Sequence, residues 1–342
     1  MQSRSGHSPA AALIAGFVAD LLAGDPRRWH PVAGFGRLAG AVERAAYGPS
    51  RARGVAATAV LVALPALAAQ GLSRTCARSG IARELALAAL TWVALGGRSL
   101  RREALAVGAL LERGELEAAR GALRALCGRD AGELDEAQVC RAVVESLAEN
   151  TSDAVTGALL WGALGGPAGV SAYRAANTLD AMVGHRSERY REYGWSAARL
   201  DDAMSWPAAR LTAALACLLA PLVGGSRRAA LAVARRDGGE HPSPNAGLVE
   251  AAFAGALGLT LGGPLAYGGH TQERARLGDG GAPGVADVRR AARLSLAVGF
   301  AATLVCAAGA AARERGSFGA AAREHGSTGA AAREHGSTGA AR

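Results

Sequence analysis

The sequence predicts an all-α, multi-pass integral membrane protein with amphipathic helical segments between its apolar helices. Three observations carry this reading. Long runs lack charge, the polar stretches between them repeat at helical spacing, and no stretch sustains the apolar–polar alternation of a strand.

Gly54–Leu72 holds no charged residue, and about 20 helical residues at ~1.5 Å each cross a hydrocarbon core of ~30 Å. Leu85–Gly97 is shorter and spans if its flanking residues snorkel. Pro207–Gly225 and Ala291–Ala312 are further crossing candidates, with Arg210 and Arg293 near their ends. Ala154–Tyr173 is equally apolar but carries Gly165, Gly166 and Pro167 at its centre. Proline inside a helix costs ~3 kcal/mol, so this run is expected to re-enter or to fold as a buried hairpin. Alanine dominates and mean hydropathy is only +0.13, which makes a soluble alanine-rich bundle the competing fold.

Ser99–Glu149 reads as two or three amphipathic helices, with Leu100, Ala104, Val107 and Leu111 spaced to share one face. Residues 1–312 are expected to form one domain. A ten-residue repeat begins at Gly309 and has no face to bury, so residues 313–342 are expected to be a disordered tail.

All 38 basic residues are arginine and the net charge is +9. No zinc-ligand set or helix-turn-helix pattern accompanies that charge, so nucleic acid is not expected as a partner. The arginines instead flank membrane segments. Cys76, Cys127, Cys140, Cys217 and Cys306 form no CxxC pair and are expected to be reduced packing residues. Asp20 interrupts the apolar Ala10–Gly24 stretch, so it is not read as a cleavable signal.

The polar residues that invite a functional reading lie against the apolar runs. In a helix Glu145, Glu149 and Asp153 fall at i, i+4 and i+8 on one face. Three carboxylates in a stripe repel unless a cation such as Mg²⁺ compensates them. Equally, "ENTSD" reads as a helix end with a new N-cap at Thr151 or Ser152; spacing alone leaves the two readings level. Downstream, Arg174, Asn177 and Asp180 follow one another at i, i+3 along a helix, Arg186, Arg189 and Tyr190 form another close set, and Asp201 and Asp202 are adjacent. Two proline-stiffened loops add Asp25 and His30 in "GDPRRWHPV", and His241 and Asn245 in "HPSPNAG". No phosphate-binding glycine loop or dinucleotide fingerprint is present.

Taken in order, these motifs resemble the CobD/CbiB family of cobalamin biosynthesis, the adenosylcobinamide-phosphate synthases. The resemblance rests on GDP…HPV at Gly24–Val32, ESLAENTSD at Glu145–Asp153 and YRAANTLDAMVGHRSERY at Tyr173–Tyr190. It continues through GWSAARLDD at Gly194–Asp202 and HPSPNAG at His241–Gly247, and it covers Leu13 to about Ala312. Ser187 stands where many members have Asn, Leu248 and Val249 replace a common Trp-Pro, and the repeat tail is foreign to the family.

The resemblance implies a multi-pass enzyme of the inner membrane. It implies amide attachment of (R)-1-amino-2-propanol, or its O-phosphate, to a propionate of adenosylcobyric acid, with ATP and Mg²⁺. The expected partners are the corrinoid, the aminopropanol, membrane lipid and other enzymes of that pathway. Under that reading Glu145, Glu149 and Asp153, or Asp201 and Asp202, are candidate Mg²⁺ ligands. Arg174, Arg186 and Arg189 are candidate phosphate clamps, and His30, His185 and His241 candidate bases. Asp25, Asn177, Asp180, Tyr190 and Asn245 are expected to contact substrate. The reading from another class is a non-catalytic membrane transporter or assembly subunit. It predicts ionisable residues inside spans, whereas here most lie beside them, Asp20 and Glu250 excepted.

Overall fold

The computed structural model describes residues 8–26, 30–76, 79–127, 131–185, 187–263, 265–267, 270–272 and 274–334, with side chains omitted over 264–273 and beyond Arg315. The chain is a helical membrane protein with twelve α-helices among the described residues. In order they are α1 Pro9–Ala23, α2 Pro31–Ala46, α3 Arg51–Thr75, α4 Gly80–Ala94, α5 Gly97–Glu112, α6 Leu116–Leu123 and α7 Glu136–Thr151, then α8 Gly157–Val183, α9 Trp195–Leu219, α10 Arg227–Asp237, α11 Ala246–Leu257 and α12 Val285–Glu334.

Among the described residues four helical stretches are long and apolar enough to cross a membrane: Arg51–Thr75, Gly80–Glu112, Trp195–Val223 and Val285–Arg315. They coincide with four of the five apolar runs of the sequence. α3 is the least covered by the rest of the chain, with 17% of its apolar window buried. Leu64, Leu67 and Leu72 stay exposed on it, as a helix facing lipid requires. Arg290 donates to the Val223 carbonyl just beyond α9, and Asn245 donates to the Asp202 carbonyl near its start.

The fifth run, Ala154–Tyr173, folds back on itself. Gly166 takes φ 58° and ψ −145°, a conformation open to glycine, and Pro167 restarts the helix behind it. The two arms of α8 then pack antiparallel. A Cβ on Gly169 would lie 2.3 Å from the Trp161 carbonyl oxygen, and one on Gly162 would lie 2.9 Å from the Val170 side chain. Small residues are what allow this approach. The second arm continues along α3 in the opposite direction: Ala57 and Leu61 pack near Leu179 and Val183.

α5 and α7, from the polar segments, pack against α12. Ala104, Val107 and Leu111 of α5 are buried, as their spacing predicts. α7 starts at a capping box in which Asp135 accepts from the Gln138 N–H and Gln138 answers to the Asp135 N–H. It packs on α5, α11 and α12. Val139, Val143, Val144 and Leu147 of α7 join Phe253, Leu294 and Val298 in the main core, which excludes water from both sides of α7. Four short strands depart from the all-helical expectation. β1 Leu261–Gly262 pairs antiparallel with β4 Arg276–Leu277, and β2 Leu265–Tyr267 pairs with β3 His270–Gln272 between them. All five cysteines are free. The α12 backbone runs helical past residue 312 as far as Glu334; alanine, arginine and glutamate in the repeat are strong helix formers even without an apolar face.

Because the hairpin returns the chain to the side it left, Ser99 and Ser196 should lie on one membrane face. Single cysteines there, in an otherwise cysteine-free background, should both react, or both resist, when intact cells meet a membrane-impermeant thiol reagent. Labelling of one alone would make Ala154–Tyr173 a true span.

Candidate functional site

The site forms where α7 gives way to the hairpin. Residues Ser152–Thr156 are a π-helical turn, so no new N-cap arises at Thr151 or Ser152. A π turn widens the helix by one residue and frees a carbonyl from the usual ladder. Here the Asp153 carbonyl accepts from the Tyr173 hydroxyl at 3.1 Å. Tyr173 is fully buried, and only glycine fits at position 157 opposite it: a Cβ there would lie 2.1 Å from the hydroxyl oxygen. The same hydroxyl is 3.4 Å from Ser205 Oγ, which donates at 3.4 Å to Asp201 Oδ1.

Around this junction lies a polar cleft of about 280 Å³. Glu149, Asp153, Asp180, Asp201, Asp202, His241 and Asn245 line it, together with Ser205 and Arg274. Seven of the residues singled out in the sequence therefore meet, drawn from α7, α8, α9 and the loop before α11. Asn245 donates to the Asp202 carbonyl at 2.8 Å and accepts from Arg210 at 2.8 Å, which fixes the HPSPNAG loop against α9. Asn177 and Arg174 join through a short chain. Arg174 Nη1 donates to Asn177 Oδ1 at 3.0 Å, and Asn177 Nδ2 donates to Asp201 Oδ1 at 3.3 Å.

The cleft is strongly acidic. Burial raises the Asp153 carboxyl well above its ordinary range, and the neighbouring Asp201 and Glu149 carboxylates push the same way. Burial also raises Asp180, with Asp202 adding to it. Arg274 and His241 stand on the rim, with Arg274 Nη1 3.1 Å from His241 Nε2. The Arg274 Nε is buried and has no hydrogen-bond partner. Such a site, carboxylates facing an arginine, suits a small zwitterion bearing an ammonium and an anionic group.

Several expectations need correction. Glu145 does not line the cleft with Glu149 and Asp153. It is 3% exposed and accepts from the Gly262 N–H at 2.8 Å, a tie between α7 and β1. Glu149 and Asp153 stay together in the cleft, but without Glu145 the stripe does not close into a three-carboxylate ligand set. Among the described residues no group of three His, Cys, Asp or Glu side chains is placed to hold a metal ion. Glu145, Glu149 and Asp153 therefore do not form a Mg²⁺ site in this arrangement.

Arg189 and Tyr190 lie elsewhere. Both donate to Glu43, at 2.9 and 2.8 Å, and Arg189 stacks 4.3 Å above the Tyr47 ring, a tie between α2 and the loop after α8. His30 caps α2, its Nδ1 accepting from the Val32 N–H. Asp25 sits beside Asp20 at the end of α1, where Asp20 is fully buried and accepts from the Arg98 N–H. Arg186 lies outside the described residues. Tyr173, Ser205 and Arg274 are the site residues that sequence reasoning passed over. Ser205 had a signal, four residues after Asp201; Arg274 had none, since its neighbours on the strand ribbon carry no motif.

The sequence profile described as CobD/Cbib protein matches residues 13–295. The protein named "Cobalamin biosynthesis protein CobD" of Mycobacterium tuberculosis is 49% identical over 289 residues, covering 84% of this chain and 92% of that protein. Proteins of the same name from Chromobacterium violaceum and Pelobacter propionicus are 46% and 42% identical, covering 80% and 76% of this chain and 88% and 82% of theirs. No solved structure matches the chain.

The raised carboxyls give the fold a pH dependence of definite sign. Asp153 and Asp180 bind protons more tightly folded than unfolded. Their contribution therefore favours the fold at acidic pH and is lost as pH rises from the ordinary aspartate value of 3.8 through the raised folded values. Asp153→Asn removes part of that loss. Thermal unfolding in detergent between about pH 4 and pH 8 should show a shallower decline for the variant and a higher melting temperature than wild type at neutral pH. Equal slopes would mean that Asp153 is not held uncompensated.

Proposed function

Because the chain belongs to the CobD/CbiB family, we propose that it acts in cobalamin biosynthesis and forms the amide between (R)-1-amino-2-propanol, or its O-phosphate, and a propionate carboxylate of adenosylcobyric acid. The observation that supports this reading most is the cleft: five carboxylates gathered opposite Arg274 and His241. An aminopropanol enters as an ammonium ion, which compensates the carboxylates. In the phosphorylated form its phosphate meets Arg274, whose Nε is unpartnered.

The amine attacks only after losing a proton. An aspartate whose affinity for protons is raised is a better base near neutral pH than an ordinary one, and Asp153 is that group here. The propionate resists attack until activated, and ATP is the activating co-substrate in this reading. Phosphoryl transfer to the carboxylate makes an acyl phosphate. Asp153 takes the first proton from the ammonium; the amine nitrogen then forms the C–N bond, the C–O bond breaks with its electron pair leaving on phosphate, and the second nitrogen proton leaves with that phosphate. Mg²⁺ belongs with the nucleotide rather than on Glu145, Glu149 and Asp153. The enzyme would sit in the inner cell membrane, beside others of its pathway.

The direct test supplies purified protein with adenosylcobyric acid, each amine, ATP and Mg²⁺, and follows amide formation by mass spectrometry. Product that depends on protein and amine is expected; its absence with both amines would reject the activity. Arg274→Ala should raise KM for the phosphorylated amine at least ~tenfold, about 1.4 kcal/mol of binding, and leave the unphosphorylated amine unchanged. An equal effect on both would remove Arg274 from phosphate recognition.

A further inference from the structure

A second cavity is lined by Arg174, which does not itself line the acidic cleft. It is a groove of about 320 Å³ between the start of α2, the second half of α3, the end of α4 and the second arm of α8. Val32, Phe35, Leu72, Leu90, Val93 and Val170 supply much of its wall. Its volume equals that of about ten waters at ~30 Å³ each, yet apolar walls leave such waters without hydrogen-bond partners, so an apolar occupant is favoured. Among the described residues lining it, Arg174 alone is charged.

Arg174 has donors to spare. Its Nη1 is engaged by Asn177, but its Nε is buried with no hydrogen-bond partner. A guanidinium carries five N–H donors and prefers a planar carboxylate or phosphate. α2 also begins at Pro31 on this groove, and a helix N-terminus favours negative charge. Beyond Arg174 the chain continues through Asn177 to Asp201 in the acidic cleft.

We propose that this groove seats the carboxylate substrate, taking an apolar edge of that molecule against α3 and α4 while Arg174 binds the carboxylate that will become the amide carbonyl. The proposal rests on the amide-forming reading above and divides its labour. The anion is held on the groove side of the Arg174–Asn177–Asp201 chain and the ammonium on the cleft side, so the two reacting groups meet across it. A membrane lipid is the competing occupant. Its hydrocarbon laid along the groove would press against the guanidinium and leave the unpartnered donor uncompensated, which is costly. A ligand with an apolar edge and a carboxylate satisfies both.

The test separates binding from turnover. Ala68→Phe and Val93→Phe both reach into the groove; Ala68 is exposed, so its variant keeps the fold. Adenosylcobyric acid absorbs visible light, and its binding to detergent-solubilised full-length protein is read by equilibrium dialysis without amine or ATP. Both variants, and Arg174→Ala, should weaken corrinoid binding at least tenfold, with Arg174→Lys recovering part of it. Aminopropanol KM in the groove variants should stay within twofold of wild type. Unchanged corrinoid binding in both groove variants would overturn the proposal, as would loss of a co-purifying phospholipid from them with corrinoid affinity intact. If corrinoid binding falls as expected but wild type yields no amide with either amine, the groove stands as a corrinoid site and the reaction is what fails.

Discussion

The hydrogen bond from the Tyr173 hydroxyl to the Asp153 carbonyl holds the rest of the site in place. It joins the π turn at the end of α7 to the second arm of the hairpin, and it passes over a glycine that nothing larger could replace. The π turn would otherwise leave a buried carbonyl unsatisfied, a loss of roughly 1–3 kcal/mol. The bond compensates that carbonyl and, in the same contact, sets Asp153 beside Asp201 through Ser205. Backbone irregularity at this depth is tolerated only where protein groups satisfy it, and here the group that does so also belongs to the cleft.

From that junction the two cavities acquire their relation. The cleft concentrates negative charge that burial makes costly, and it therefore attracts cations. The groove is apolar with a single arginine, and it suits an anion on an apolar body. The Arg174–Asn177–Asp201 chain links the two, with neutral Asn177 between the guanidinium and the carboxylate. The groove borders the apolar side chains that α3 and α4 leave exposed, among them Leu72 and Leu85.

Much of this was legible in the residues. The Gly165–Gly166–Pro167 interruption forecast the reversal, because a straight helix cannot accommodate it, and the i, i+4 spacing in α5 forecast its buried face. The pairing of Asp201 and Asp202 with the HPSPNAG loop was carried by motif order. What failed did so for local reasons. The carboxylate stripe assumed one shared surface over two turns, whereas Glu145 is tied to the Gly262 N–H and only Glu149 and Asp153 line the cleft. Arg189, Tyr190 and His30 lie apart from the cleft, the first two on Glu43 and the third capping α2, contacts that sequence spacing does not reveal because Glu43 lies far away along the chain. Tyr173 was quoted within a motif and yet unassigned, because its partner is a main-chain carbonyl that no side-chain pattern reveals.

The reversal of the chain at Gly166 underlies both the cleft and the groove, and its most direct test is a distance. In a straight helix positions 162 and 170 would stand about 12 Å apart at ~1.5 Å per residue, well beyond the ~4.4–6.8 Å that a disulfide spans between α-carbons. In the hairpin a Cβ at Gly162 lies 2.9 Å from the Val170 side chain. Gly162→Cys with Val170→Cys, in an otherwise cysteine-free protein in native membranes, should form an intramolecular disulfide on mild oxidation, detected by mass spectrometry of the linked peptides. Two free thiols after oxidation, in a protein that remains folded, would contradict the hairpin and separate the two halves of the site.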